Sequence, residues 1–319
     1  MRDVEDIRTA RAALSWLFEP GDPQMRALIT RYGPVEALAR LTDTEPDEEH
    51  LRLEVRHLPG RARDLAAQAV HEAQAWCRIV IPEDVDWPTG LHALTGADGL
   101  DPVCLWARGT ADLPVQGTSV TVTGARAATA YGTAVTADLV TGLTDRDRTI
   151  VSTGDFGVGS AALRATIAAY GSPVAVLSSG LQHPYPRQHA PLLQQVADVG
   201  LLVSVWPPDA RPTRHRARAG RTVLAALTAG TVLVEDHLRG SMQDVLRHAL
   251  SYGRAGLVVP GPVVSMMSAA CHALLRDDPR VRAVATADDI IRDIETHRGA
   301  DLDRPACDGG DTAGRDGER

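Results

Sequence analysis

The stretch that most constrains the fold is Thr118–Gly132, Thr-Ser-Val-Thr-Val-Thr-Gly-Ala-Arg-Ala-Ala-Thr-Ala-Tyr-Gly. Val120 and Val122 alternate with the small polar residues Ser119, Thr121 and Thr123, which suits a strand. Gly124 breaks that run, and Tyr131, Val135, Leu139 and Leu143 then recur every four residues. A switch from period 2 to helical period marks a βα unit. The start of such a helix offers unpaired N–H groups and the positive end of its dipole, which suits a phosphate. Arg126 stands in the turn, where its planar fork could grip the same anion. A turn-making Gly124 and a solvated Arg126 would account for the same residues.

Strands and helices keep alternating after this unit, the signature of a mostly parallel sheet. Strands are expected at 148–152, 173–178, 201–205, 231–235 and 256–259, besides 119–123. The helix from Ser241 has Met242, Val245, Leu246, Ala249 and Leu250 on one face, and Thr286-x-x-Asp289 resembles a capping box before Ile290 and Ile294. The fold class is therefore α/β, an extended Rossmann-like sheet with helices on both faces. The chain is long enough for one large domain or two modest ones.

The residues before the sheet read differently. Ile7, Ala10, Leu14 and Leu17 form one apolar helical face; Pro20-Gly-Asp-Pro23 breaks it, and Pro34 stands where a first helical residue belongs. An acidic loop at 43–49 and a longer helix after Gly60, with Leu65, Ala69, Ala73 and Trp76 on one stripe, complete a small helical domain over 1–79. Such modules serve as packing, or touch DNA or partner proteins. Pro and Gly punctuate 79–117, where Val103–Gly109 looks like an edge strand leading into the Rossmann-like domain of 80–296. Residues 297–319, rich in Gly and Asp, are expected as a disordered acidic tail.

Charge and cysteine usage narrow the function. The 33 basic residues are all arginines, yet the net charge is −8, which argues against a broadly basic nucleic-acid coat and leaves room for a local patch. Cys77, Cys104, Cys271 and Cys307 have no CxxC or metal-ligand spacing, so a reduced cytoplasm is expected, without metal or cofactor. Met1-Arg-Asp-Val-Glu-Asp is not a signal peptide, and no apolar run is long enough to span a bilayer, so no membrane partner is expected.

Ligands of open parallel sheets bind beyond the carboxyl ends of the strands. This sequence places there Thr153-Gly-Asp-Phe-Gly-Val-Gly-Ser160, Ser178-Ser-Gly-Leu181 with Tyr185-Pro186, Trp206-Pro-Pro-Asp-Ala210, Glu235-Asp236, Arg239-Gly-Ser241 and Pro260-Gly-Pro262. The first of these lacks GxGxxG spacing and a P-loop ending. Between 211 and 221 lie five arginines and His215, a concentration of positive charge inside an acidic chain. Arginine contacts to phosphate supply sequence-independent, salt-sensitive affinity for nucleic acid, and Trp206 and Tyr185 could stack bases beside them. A solvated loop that serves solubility is the alternative. Catalytic constellations are thin. Adjacent residues of a strand point to opposite faces, which separates Glu235 from Asp236. There is no GxSxG and no zinc-spaced His pair, and His237, His248 and His272 read as surface or capping residues.

These residues resemble the DNA-processing protein A (DprA/Smf) family. The similar pieces are Pro102–Gly109, Gly124-Ala-Arg126 with Thr129 and Tyr131-Gly132, Ser179-Gly-Leu181 with Tyr185-Pro186, Ser204, Pro207-Pro208, Glu235, Gly240-Ser241, Val259-Pro-Gly261, and Cys271 with Leu274-Leu275, in order along the chain. The resemblance implies a single-stranded-DNA-binding, dimeric, non-catalytic accessory protein that helps load a RecA-type recombinase in recombination or natural transformation. Its DNA-binding residues would be Gly124, Arg126, Ser179, Gly180, Tyr185, Arg214, Arg216, Arg218, Arg221, Gly240 and Ser241. The chain departs from the family pattern at Phe156, Gly159 and Leu163, at Gly220-Arg221-Thr222 and at His272, and shows no appended winged-helix domain. Two alternatives stand beside this reading: a Rossmann-like nucleotide enzyme or sensor of phosphoribohydrolase type, whose Pro-Gly-Gly signature is absent, and a paralogue that only scaffolds a partner.

Overall fold

The computed structural model describes residues 4–42, 62–95 and 99–302. A nine-stranded sheet organises them. The strands are β1 (Arg78–Val80), β2 (Leu105–Gly109), β3 (Ser119–Thr123), β4 (Thr149–Thr153), β5 (Val174–Val176), β6 (Leu201–Ser204), β7 (Gly230–Leu233), β8 (Ala255–Val258) and β9 (Val281–Ala283), in the spatial order β1-β2-β6-β5-β4-β3-β7-β8-β9. From β6 to β9 all pairings are parallel; β2 joins β6, and β1 joins β2, antiparallel. The Val103–Gly109 segment is thus not the edge strand expected: β1 lies outside it.

Helices cover both faces, as the alternating pattern requires. The helices are α1 (Val4–Leu17), α2 (Pro23–Tyr32), α3 (Pro34–Thr42), α4 (Ala62–Gln74), α5 (Ala130–Thr144), α6 (Val158–Ala168), α7 (Ala190–Val199), α8 (Arg214–Ala226), α9 (Gln243–Ser251), α10 (Ala269–Asp277) and α11 (Ala287–Leu302). On one face Val120, Val122, Ile150 and Val232 pack beneath α5, α6 and α11 through Leu139, Leu143, Ala162 and Ile290. The same face continues under α7 and the N-terminal helices, where Leu14, Met25 and Leu41 share a core with Trp106, Ala175 and Leu202. On the other face Val151, Val174, Val203 and Val258 meet α8, α9 and the turn at Trp87–Leu94. The expected small-helix segment therefore lies against the sheet, with Trp16 edge-on to Trp106 at 4.9 Å.

The polar alternation in β3 does not mark a solvated face, since all five of its residues are buried. Ser119 and Thr121 donate instead to the carbonyls of Leu227 and Leu224 at the carboxyl end of α8, at 3.3 and 3.0 Å. Buried hydroxyls are tolerated when so satisfied. The capping box forms as expected: the backbone N–H of Asp289 donates to Thr286 Oγ1 at 3.1 Å, and the N–H of Thr286 donates to Asp289 Oδ2 at 3.1 Å. The helix it opens continues to Leu302, past the boundary expected at 296, and the remainder of the expected tail lies outside the described residues. The acidic loop at 43–49 and the side chain of Leu65 also lie outside them.

Candidate nucleic-acid interface

The chain runs outward from β3 to β6, then returns to pair β7 with β3, so the sheet changes winding direction between β3 and β7. A doubly wound sheet places its ligand crevice there. In this molecule that crevice is occupied from within. The carboxylate of Glu235, 2% exposed, accepts from the backbone N–H of Thr129 at 2.6 Å and from Thr129 Oγ1 at 2.8 Å. Thr129 Oγ1 in turn accepts from the N–H of Gly132 at 3.0 Å. A Cβ on Gly132 would collide with the same carboxylate, so only glycine fits. The helix start expected to hold a phosphate thus already carries a protein anion.

Asp236 does the same on the opposite face. Its carboxylate accepts from the N–H groups of His237 and Met242 at 3.0 Å and Gln243 at 3.3 Å, capping α9. Burial pushes its carboxyl above the usual range, and the Met242 and Gln243 donors pull it back in part. Gly240 lies too close to Asp236 to carry a Cβ, and Ser241 stands exposed at a helix start filled by Asp236. The strand expected to 235 ends at Leu233; the two acids lie just beyond it, turn to opposite faces, and each holds a helix in place of a ligand.

An open cleft lies one strand over. It measures about 310 Å³ and is lined by Arg126, Thr153–Asp155, Val176–Ser178, Tyr185, Pro212–Arg214 and Ala217. Arg126 and Arg214, far apart in the sequence, line it together, as the arginine pattern anticipated. Gly124 sets the geometry beneath Arg126, with Glu235 O and Val158 Cγ2 each 2.7 Å from where a Cβ would sit. Arg126 makes a loose bifurcated contact to both oxygens of Asp155 at 3.4 Å, and its side chain is 54% exposed. Such an exposed pair is worth about 0–1 kcal/mol, so a phosphate can displace Asp155 at little cost. Thr213 caps α8 by accepting from the N–H of Arg216 at 3.1 Å, which brings that helix start to the cleft wall.

The arginines of α8 divide by helical geometry. Arg214, Arg218 and Arg221 fall on one stripe, and Arg216 points the other way. Arg214 and Arg218 are exposed. Arg221 donates to Asp244 Oδ2 at 2.9 Å, which ties α8 to α9. Arg216, 18% exposed, pairs with Glu19 at the end of α1 and donates to Arg211 O at 2.8 Å. Arg216 and Arg221 therefore hold elements together, a correction to their expected role as phosphate contacts. Trp206 needs the same correction. It is 1% exposed, and its Nε1 donates to Glu19 Oε2 at 3.0 Å, so it offers no face to a base.

Ser179 and Gly180 follow the cleft residue Ser178 and are engaged in packing. Ser179 Oγ donates to His183 O at 2.8 Å, and its own carbonyl accepts from Ser204 Oγ at 2.9 Å. Gly180 packs so closely on the carbonyls of Pro207 and Pro208 that no Cβ fits, while its N–H donates to Ala210 O at 2.7 Å. Tyr185 is 49% exposed in the cleft wall. Of the positions that depart from the family pattern, Leu163 is core, and Gly159 sits 2.8 Å from Thr153 Oγ1 at its Cβ position. Gly220 lets α8 approach the Ser178 hydroxyl, 2.7 Å from its Cβ position. His272 Nε2 lies 3.1 Å from Gly261 O. Sequence reasoning missed Glu19 and Thr213, and placed Asp155 at the ligand edge only as part of its glycine-rich loop. Only Thr213, a threonine just before a helix, carried a local signal.

Among the described residues no cluster of three or more His, Cys, Asp or Glu could hold a metal ion, and no helix is long and apolar enough to cross a membrane. The fold and cleft define a Rossmann-like, doubly wound protein with a cationic groove beside a self-filled switch point. A family model for DNA recombination-mediator protein A matches residues 78–295. The chain belongs to that family, which includes the DprA and Smf proteins. It is 38% identical over 298 residues to a DprA-type DNA processing protein of Mycobacterium tuberculosis, covering 90% of this chain and 75% of the relative. It is 26% identical over 193 residues to DNA processing protein DprA of Bacillus subtilis, covering 60% and 64%. DNA processing protein A from Streptococcus pneumoniae has a similar structure, with a TM-score of 0.67 at 19% identity over 91% of this chain and 96% of that one. The Helicobacter pylori protein follows with a TM-score of 0.60 at 21% identity, over 69% and 96%.

Proposed function

We propose that this chain binds single-stranded DNA in the cleft between Arg126 and Arg214, as a non-catalytic accessory factor of recombination and natural transformation. The observation that carries this reading is the convergence of those two arginines on one groove, with Tyr185 in its wall. The Helicobacter pylori DNA processing protein A binds single-stranded DNA, which supports the same ligand here. Arg126 and Arg214 would contact successive phosphates, Arg218 would extend the track along α8, and Tyr185 would take a base. Gly124, Ser179, Gly180, Gly240 and Ser241 act through backbone geometry. In the same reading the chain works in the cytoplasm as a homodimer and delivers the strand to a RecA-type recombinase.

A mononucleotide ligand is disfavoured by Glu235, whose carboxylate stands where a doubly wound sheet would cradle the phosphate. The test is fluorescence anisotropy with a labelled single strand, its matching duplex, and nucleoside monophosphates as competitors. Preferential binding of the intact single strand, not displaced by millimolar mononucleotide, is expected. Competition by mononucleotide at micromolar concentration, or no binding of the strand at low salt, would overturn the proposal.

A further inference from the structure

Phe156 lies in the loop that enters α6, next to the cleft residue Asp155, and remains 42% exposed. Its ring is held edge-on against the imidazole of His189, with centroids 4.5 Å apart and planes at 60°. His189 is itself fixed: it is 8% exposed, and its Nδ1 lies 2.8 Å from the carbonyl of Gly154, another cleft residue. Gly157, with φ +75, makes the sharp turn that presents the ring, and its packing against the carbonyls of Ala125 and Arg126 ties the loop to the Arg126 turn. A lone exposed aromatic is ordinary. This one is braced by a buried, hydrogen-bonded partner and follows directly on Asp155, a lining residue of the cleft that holds Arg126 and Arg214. Tyr185, which lines the cleft, comes four residues before His189 in the chain.

We infer that Phe156 is a base-stacking platform of the single-stranded DNA site, acting together with Tyr185. The inference rests on the proposed function and extends it to a residue that departs from the family pattern. The site then reads a strand as phosphate on Arg126 and Arg214, with one base on each aromatic. It is tolerant of sequence, because every base has a π-face. Since the platform is uncharged, it adds affinity without releasing counterions.

The test compares a labelled oligothymidine with an oligomer of equal length and charge that has abasic sites throughout. Phe156→Ala and Phe156→Leu should each weaken the oligothymidine about 5-fold or more. Both should leave the abasic oligomer and the salt dependence unchanged, and Phe156→Tyr should retain binding. Phe156→Leu keeps apolar volume against His189, which separates loss of stacking from loss of packing. Equal weakening of both oligomers, or none of either, overturns the platform. If Arg126→Ala and Arg214→Ala also leave binding intact, the cleft itself is not the site and the parent reading falls. If they weaken binding while the Phe156 variants do not, only this inference falls.

Discussion

Removing the Glu235 carboxylate perturbs the centre of the sheet most directly. In the native protein it is almost fully buried and accepts two hydrogen bonds at the start of α5, both from Thr129. Glu235→Ala leaves the part-buried Thr129 N–H without its acceptor, at about 1–3 kcal/mol, and frees the Thr129 hydroxyl that caps α5, a cap worth about 1 kcal/mol. Relief from burying a charge offsets part of this, so a net loss of about 2–3 kcal/mol is expected. Glu235→Gln keeps one carbonyl acceptor for the Thr129 N–H, and its loss should be about half as large. Gly132→Ala should destabilise by a comparable amount, because its methyl would enter the space of the carboxylate. Urea unfolding at equilibrium measures all three as shifts of midpoint at constant slope. A Glu235→Ala midpoint within about 0.5 kcal/mol of wild type would refute the cap. Equal losses for Ala and Gln would mean that the charge, not the acceptor, holds the helix.

Three further outcomes follow from the contacts described. Glu19→Ala and Arg216→Ala should each destabilise by about 1–3 kcal/mol, and the double variant should fall short of their sum, read in the same urea assay. Burial pushes the thiols of Cys77, Cys104 and Cys271 up to about 12, so all three should resist Ellman's reagent at pH 8 until the protein is unfolded. The Asp289 carboxyl is held below its ordinary range, first by the Thr286 hydroxyl and next by the Ala285 N–H. A depressed carboxylate stabilises the fold above its unfolded pKa and loses that contribution as pH falls through the folded one. The acid limb of a stability profile should therefore be shallower in Asp289→Asn.

How much of this was legible in the sequence depended on how local the cause was. The β3–α5 switch, the Pro34 helix start and the Thr286–Asp289 box rest on neighbours within one turn, and each forms as expected. Glu235 and Asp236 diverge as expected although β7 ends before them at Leu233, and their partners Thr129 and Met242 stand at the starts of helices on opposite faces. No spacing announces those contacts. Strands β1 and β9 have three residues each, too few to show a period, and they exist because a neighbouring strand offers a ladder. Missing β1 is what made Val103–Gly109 look like an edge. Trp206, in a proline-rich loop after a strand, looked like an exposed platform, but Glu19 at the end of α1 meets its indole N–H. The arginine cluster was legible as charge; which members stay free was set by Glu19 and Asp244, residues distant in sequence.

The proposed function depends on Arg126 and Arg214 facing one groove while Arg216 is turned away into a structural pair. Its most direct test is the slope of binding against salt for a labelled single strand, compared among wild type, Arg126→Ala, Arg214→Ala and Arg216→Ala. Each phosphate contact to a single strand contributes about 0.7 to that slope. Arg126→Ala and Arg214→Ala should each lower it by about that amount. Arg216→Ala should leave it unchanged, whatever it does to stability. A slope that falls for Arg216→Ala and stays at the wild-type value for the other two would contradict the account.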